Sequence, residues 1–101
     1  MKINNIDFDE DYIRTMAESW SIDELAVFGS ILTDDFKPDS DIDFLVTFSP
    51  SATLGLFEMV QLKTELENHF NRKVDLVEKP AIANPFRRKS ILESARMLYV
   101  N

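Results

Sequence analysis

The sequence predicts an α/β (α+β) protein, a mixed β-sheet of three to four strands with helices packed against it. Three observations lead there. Apolar residues recur at helical spacing in two long segments, short β-branched and aromatic runs lie between and after them, and the segments follow in the order α-β-β-α-β-α. With 101 residues there is room for one compact domain, 1–101. A hydrophobic fraction of 45%, with eight Phe, two Tyr and one Trp, supplies the bulk of a core and argues against disorder along the whole chain.

Asp7 followed by Glu10 has the form of a capping box, and Tyr12, Ile13, Met16, Ala17 and Trp20 recur at spacings of three and four, which predicts a helix over Phe8 to Ser19. Ser21 to Glu24 reads as a polar connection. Leu25-Ala26-Val27-Phe28 is a short apolar run closed by Gly29-Ser30 and reads as a buried strand. Thr33 to Ser40 is rich in loop formers, and Ile42 to Phe48 is β-branched and aromatic, a second strand. Ser49 to Thr53 forms a loop with Thr53 as a cap. Met59, Leu62, Leu66 and Phe70 then mark one face of a helix over Leu54 to Phe70. Val74 to Glu78 is the third strand. Pro80 and Pro85 bound an irregular stretch, and Phe86 to Ala95 reads as helix. Met97 to Val100 is either a last short strand or the end of that helix.

Eighteen acidic residues against eleven basic ones give a formal charge of −7. That sign disfavours direct nucleic-acid binding and suits either the gathering of divalent cations or docking on a basic protein. No apolar run approaches the ~20 residues that span a bilayer, so no membrane association is expected. The first residues turn acidic at once, without the apolar stretch of a signal peptide, and the chain has no Cys. A cytoplasmic location is the expectation.

The chemistry is concentrated in Phe28-Gly29-Ser30, ten intervening residues, and then Asp41-Ile42-Asp43. Asp41 and Asp43 lie two apart at the start of a strand, so their carboxylates project from one face. Carboxylates that close repel unless a cation neutralises them, and hard oxygen ligands suit Mg²⁺ or Mn²⁺. Gly29 lets backbone N–H groups approach a phosphate, and Ser30 adds a hydroxyl donor. Asp75, between Val74 and Leu76, turns to the face opposite its apolar neighbours; if its strand adjoins the second, it joins Asp41 and Asp43. Three carboxylates can hold two metals, and such a site supports in-line transfer to an alcohol.

These residues resemble the DNA polymerase β-like nucleotidyltransferase superfamily. The short chain, Pro38-Asp39-Ser40-Asp41-Ile42-Asp43 and Lys73-Val74-Asp75-Leu76-Val77 are similar to its minimal nucleotidyltransferase (MntA-type) branch, from about residue 22 to 98. The resemblance implies the nucleotidyltransferase fold, and an antitoxin that silences a HEPN-type toxin protein, a helical ribonuclease, by transferring AMP from ATP to one of its Tyr residues. It implies that Gly29 and Ser30 hold the nucleotide phosphates. It also implies that Asp41, Asp43 and Asp75 bind Mg²⁺ and are catalytic, Asp75 helping to activate the acceptor hydroxyl. The chain departs from the family where many members follow the Ser with a basic residue; here Ile31, Leu32, Thr33, Asp34 and Asp35 stand instead. That departure keeps open a second reading, an antitoxin that neutralises its toxin by binding alone.

Size points to a partner independently. Most of the 101 residues build the sheet and its helices, so acceptor specificity has to come from whatever docks on the domain. Asp34, Asp35 and Asp39 read as loop surface, His69 as a surface or capping residue and Met59 as core. Arg87-Arg88-Lys89 reads as a solvated helix face, with contact to the ATP triphosphate or to an acidic patch of the partner as the competing role. Trp20 and Phe36 suit core or interface equally.

Overall fold

The computed structural model describes residues 1–101. A two-stranded hairpin, β1 (Lys2–Ile3) and β2 (Ile6–Asp7), comes first, followed by α1 (Glu10–Ser19) and β3 (Ile22–Phe28). A short 3₁₀ turn, Gly29–Leu32, and a loop lead to β4 (Ile42–Phe48). Then come α2 (Leu56–Phe70), β5 (Val74–Glu78), a second 3₁₀ turn at Lys79–Ala81, α3 (Pro85–Ser94) and β6 (Arg96–Val100).

The main sheet has four strands in the order β5-β4-β3-β6. β3 pairs antiparallel with both β4 and β6, whereas β4 pairs parallel with β5 through the α2 crossover. This is the mixed sheet expected from the element order. The alternative left open for Met97 to Val100 resolves to a strand, because β3 offers a free edge against which Leu25 pairs with Tyr99.

The sheet is covered on both sides, which explains the unbroken apolar run in β3. Leu25, Val27, Ile42, Phe44, Val46 and Val74 pack against Ile13, Met16 and Ala17 of α1 and Leu62 and Leu66 of α2. Phe8 meets Phe44 edge-on at 6.2 Å in the same layer. On the opposite side Ala26, Phe28 and Leu45 pack against Ile82 and Ile91, so α3 is the one helix on that face, joined by the segment that leads into it. One helix cannot cover a whole four-stranded face, and the uncovered part is where the polar residues gather.

Several boundaries differ from the sequence reading. The cap of α1 is Asp9, whose carboxylate accepts from the N–H groups of Asp11 at 2.8 Å and Tyr12 at 3.2 Å. Asp7 is instead paired with Lys2 across the hairpin. That hairpin turns through Asn4 and Asn5, both left-handed with φ of 51° and 69°, a conformation Asn tolerates well. β3 starts three residues early because Ile22 is buried and pairs with Phe48. α2 starts at Leu56, with Glu58 reaching back to the Gly55 N–H at 3.0 Å in place of a Thr53 cap.

Candidate active site

β3 runs out at Phe28, which pairs across the sheet with Asp43. The next residue, Gly29, has φ of 78°, a conformation that costs other residues strain. A side chain there would also collide with the Asp43 carboxylate. Gly29 is therefore required twice, by its backbone and by the acid it clears. The 3₁₀ turn that follows buries Ile31 and ties off the Ser30 carbonyl, which accepts from the Thr33 N–H at 2.9 Å and its hydroxyl at 2.8 Å. Asn4 braces the same turn from the N-terminal hairpin, its side-chain amide donating to the carbonyls of Ile31 at 3.2 Å and Thr33 at 2.8 Å.

The loop that returns to β4 is held by Arg72. Its Nη1 donates to the carbonyls of Lys37 and Ser40, both at 2.8 Å, while the guanidinium lies 4.4 Å above the Phe36 ring. The Ser40 hydroxyl oxygen accepts from the Lys37 N–H at 2.9 Å. Asp41 follows at once, so the clamp fixes the approach of the first acid. Ile42 then donates to the Lys73 carbonyl at 3.0 Å, and the Val74 N–H donates to Glu67 Oε2 at 3.0 Å, which seats β5 beside β4.

The parallel register sets Asp43 directly opposite Asp75. In-register neighbours share a face, and Asp41 shares it by the two-residue period. Leu45 and Val77, two residues further along the same strands, lie on that face under α3. The three acids thus converge on the uncovered end of the α3 face, next to Gly29. Asp41 and Asp75 are exposed and Asp43 is half-buried. Burial first, then the charges of Asp75 and Asp41, hold the Asp43 carboxyl above its ordinary pKa, while the Arg87 guanidinium pulls it back down.

Of the basic cluster read as a solvated face, the structure separates three roles. Arg88 donates through Nη1 to the Lys79 carbonyl at 2.7 Å, Lys89 stands 3.9 Å from Glu93 on the surface, and Arg87 acts on Asp43. Asp34, Asp35 and Asp39 are exposed on the loop. His69 stacks flat on Tyr12, ring centres 3.5 Å apart, among α1 and α2 residues on the far side of the sheet. Trp20 and Phe36 both pack against the core. Sequence reasoning missed Asn4 and Arg72. The Asn4-Asn5 pair was a readable turn signal; nothing local marks Arg72, whose partners lie more than thirty residues earlier.

The donors at this end of the sheet are all hard oxygens, and their mutual repulsion is the condition a divalent cation relieves. Hard oxygens are the donors Mg²⁺ prefers, but no three acidic side chains here stand close enough to hold an ion between them. Carboxylates crowded beside a Gly-Ser corner on a mixed sheet form the candidate site.

The chain belongs to the nucleotidyltransferase domain family, whose profile matches residues 10–98, and it is a nucleotidyltransferase. It is 31% identical over 87 residues to a Methanocaldococcus jannaschii protein provisionally named a protein adenylyltransferase, covering 86% of this chain and 85% of that one. It is 31% identical over 80 residues to the protein adenylyltransferase MntA of Thermococcus cleftensis, covering 79% of each. Among solved structures, a toxin–antitoxin structure with AMP-PNP superposes with a TM-score of 0.73 at 21% identity, over 93% of this chain and 75% of that one. A complex of tri-AMPylated Shewanella oneidensis HEPN toxin with its MNT antitoxin superposes with a TM-score of 0.64 at 21% identity, over 91% and 70%. These two likenesses place the fold. No helix is long and apolar enough to cross a membrane.

Proposed function

We propose that this single domain is the antitoxin of a toxin–antitoxin pair and transfers AMP from ATP to a tyrosine hydroxyl of a helical HEPN-type toxin. The observation that carries this reading is the register pair of Asp43 with Asp75, on the face Asp41 also reaches, beside Gly29. The relative named a protein adenylyltransferase and the solved neighbour that holds an AMPylated toxin support the choice of acceptor. Asp41, Asp43 and Asp75 are the residues that would hold Mg²⁺. When bound, Mg²⁺ supplies charge neutralisation at the triphosphate and polarisation of the α-phosphate.

The protein's own groups do the rest. The backbone at Gly29 and the Ser30 hydroxyl hold phosphate oxygens. Asp75, the exposed acid of the register pair, accepts the proton of the incoming hydroxyl. The hydroxyl oxygen bonds to the α-phosphorus, the bond to the β-phosphate oxygen breaks, and pyrophosphate departs in line. Positioning and charge placement carry most of the acceleration in transfers of this type. The partner supplies the acceptor and part of the specificity, since α3 leaves little wall around the site. The charge of −7 makes a basic protein surface a better partner than nucleic acid or an anionic membrane, and the setting is cytoplasmic.

Intact-mass spectrometry of the partner after incubation with the protein, ATP and Mg²⁺ tests this. AMP-sized increments are expected, absent from the Asp41→Ala/Asp43→Ala double variant, which still forms the complex. A partner that is bound and silenced without any increment would show that the domain acts by masking its target.

A further inference from the structure

The Gly29–Leu32 turn offers a triphosphate backbone donors and one hydroxyl but no cation. Ile31 is buried, Leu32 packs against the core, and the next charged residues, Asp34 and Asp35, have the wrong sign. A polyphosphate entering here also faces Asp41, Asp43 and Asp75. A positive side chain that met the phosphates beyond the carboxylates would add to the neutralisation a bound cation supplies.

Several of the basic residues near this face are committed, although Lys73, two residues before Asp75, is not. Arg72 is tied to Lys37, Ser40 and the Phe36 ring, Arg88 to the Lys79 carbonyl, Lys79 to Glu24 at 3.2 Å, and Lys89 lies beside Glu93. Arg87 has neither a side-chain hydrogen bond nor an ion pair. It is exposed in the first turn of α3, one helical turn before Ile91, which packs on the side of the sheet holding Ala26, Phe28 and Leu45. Phe28 is the register partner of Asp43, so the roof helix carries Arg87 over the face where the acids converge. Its charge is felt by Asp43. A cation in the first turn of a helix is electrostatically unfavourable, so Arg87 gains nothing there from the helix itself.

We propose that Arg87 grips the β- and γ-phosphates of the nucleotide, from the roof side of the site, opposite the Gly29-Ser30 corner. This rests on the proposed nucleotidyl transfer at the same site. A guanidinium fork suits two phosphate oxygens at once, and its charge offsets the negative charge that grows on the departing pyrophosphate. All bonds made and broken are those of the transfer itself; Arg87 exchanges no proton.

Three variants measured against a non-hydrolysable ATP analogue, AMP and the acceptor test the role. Arg87→Ala is expected to weaken the ATP analogue about 10- to 100-fold, the loss of a charge-assisted contact, and to raise KM for ATP accordingly. AMP, which lacks the β- and γ-phosphates, should bind it as it binds the original protein. Arg87→Lys should recover part of the loss, keeping the charge without the fork. Lys63→Ala, which removes one exposed charge from α2, should change neither affinity. Unchanged affinity of Arg87→Ala for the ATP analogue would overturn the proposal, as would an equal loss of AMP binding. Intact nucleotide affinity with loss of complex formation would assign Arg87 to the partner instead, and also overturn it. If the original protein transfers no AMP and binds no ATP analogue, the transferase reading itself fails, an outcome distinct from all of these.

Discussion

Replacing Asp43 with Asn should destroy the transfer activity and stabilise the metal-free fold. Asp43 is half-buried, faces Asp75 across the parallel register and sits two residues from Asp41, with Arg87 as the only opposing charge acting on it. Adjacent strands lie about 4.8 Å apart. Two unit charges near 5 Å repel by about 0.8 kcal/mol in water and about 3 kcal/mol at an effective dielectric constant of 20. Solvent around Asp41 and Asp75 and the attraction of Arg87 bring the net gain from Asn to about 1 kcal/mol. For a domain of this size that raises Tm by about 4–8 °C.

The sign with pH follows from the raised pKa. The folded state holds the Asp43 proton more tightly than the unfolded chain, so its stability contribution is full below the ordinary carboxyl pKa. It is lost as pH rises through the raised value. The advantage of Asp43→Asn should therefore be largest near neutral pH, shrink on acidification, and shrink in high salt. Thermal unfolding by circular dichroism at pH 4 and pH 7.5, in low salt and without divalent cations, measures it. A variant equally or less stable at neutral pH would refute the electrostatic account.

Gly29→Ala should destabilise the fold by about 2 kcal/mol or more, from the positive φ and the encroachment on Asp43, and should also reduce transfer; chemical denaturation and a transfer assay read both. Arg72→Ala removes two carbonyl contacts and the stacking on Phe36, so a loss of about 1–3 kcal/mol is expected, with faster amide exchange localised to residues 36–42. The Tyr12 phenol is pushed up to about 12 by burial and then by the nearby Glu65 charge. Its neutral form stabilises the fold fully below pH 10, and that contribution is lost between pH 10 and 12. Ultraviolet titration should show one late tyrosinate that Tyr12→Phe abolishes.

The parts of the fold legible in the sequence are those set by short-range periodicity. The runs Leu25 to Phe28 and Ile42 to Phe48 and the stripe of Leu62 and Leu66 declare their elements because each buries its apolar face against the sheet or a helix. The candidate site was legible for the same reason. Two-residue alternation alone puts Asp41 with Asp43 and turns Asp75 from Val74, although the direct pairing of Asp43 with Asp75 depends on a parallel register set by the α2 crossover. What stayed hidden rests on contacts far apart in sequence. The extension of β3 to Ile22 reflects pairing with Phe48, and Asn4 reaches the turn after Gly29 across 27 residues. Arg87 looked like its neighbours in the chain, since only the packing of Ile91 decides which side of α3 turns to the acids.

In the proposed transfer, Asp41, Asp43 and Asp75 act together with Gly29-Ser30 on a cation-bound nucleotide. Paramagnetic broadening of backbone amide signals by Mn²⁺, added with a non-hydrolysable ATP analogue, tests this most directly. Broadening should begin at residues 29–30, 41–43 and 75, leave Tyr12 and His69 sharp, and vanish in the Asp41→Ala/Asp43→Ala variant. Broadening centred on any other part of the surface, or undiminished in that variant, would contradict it.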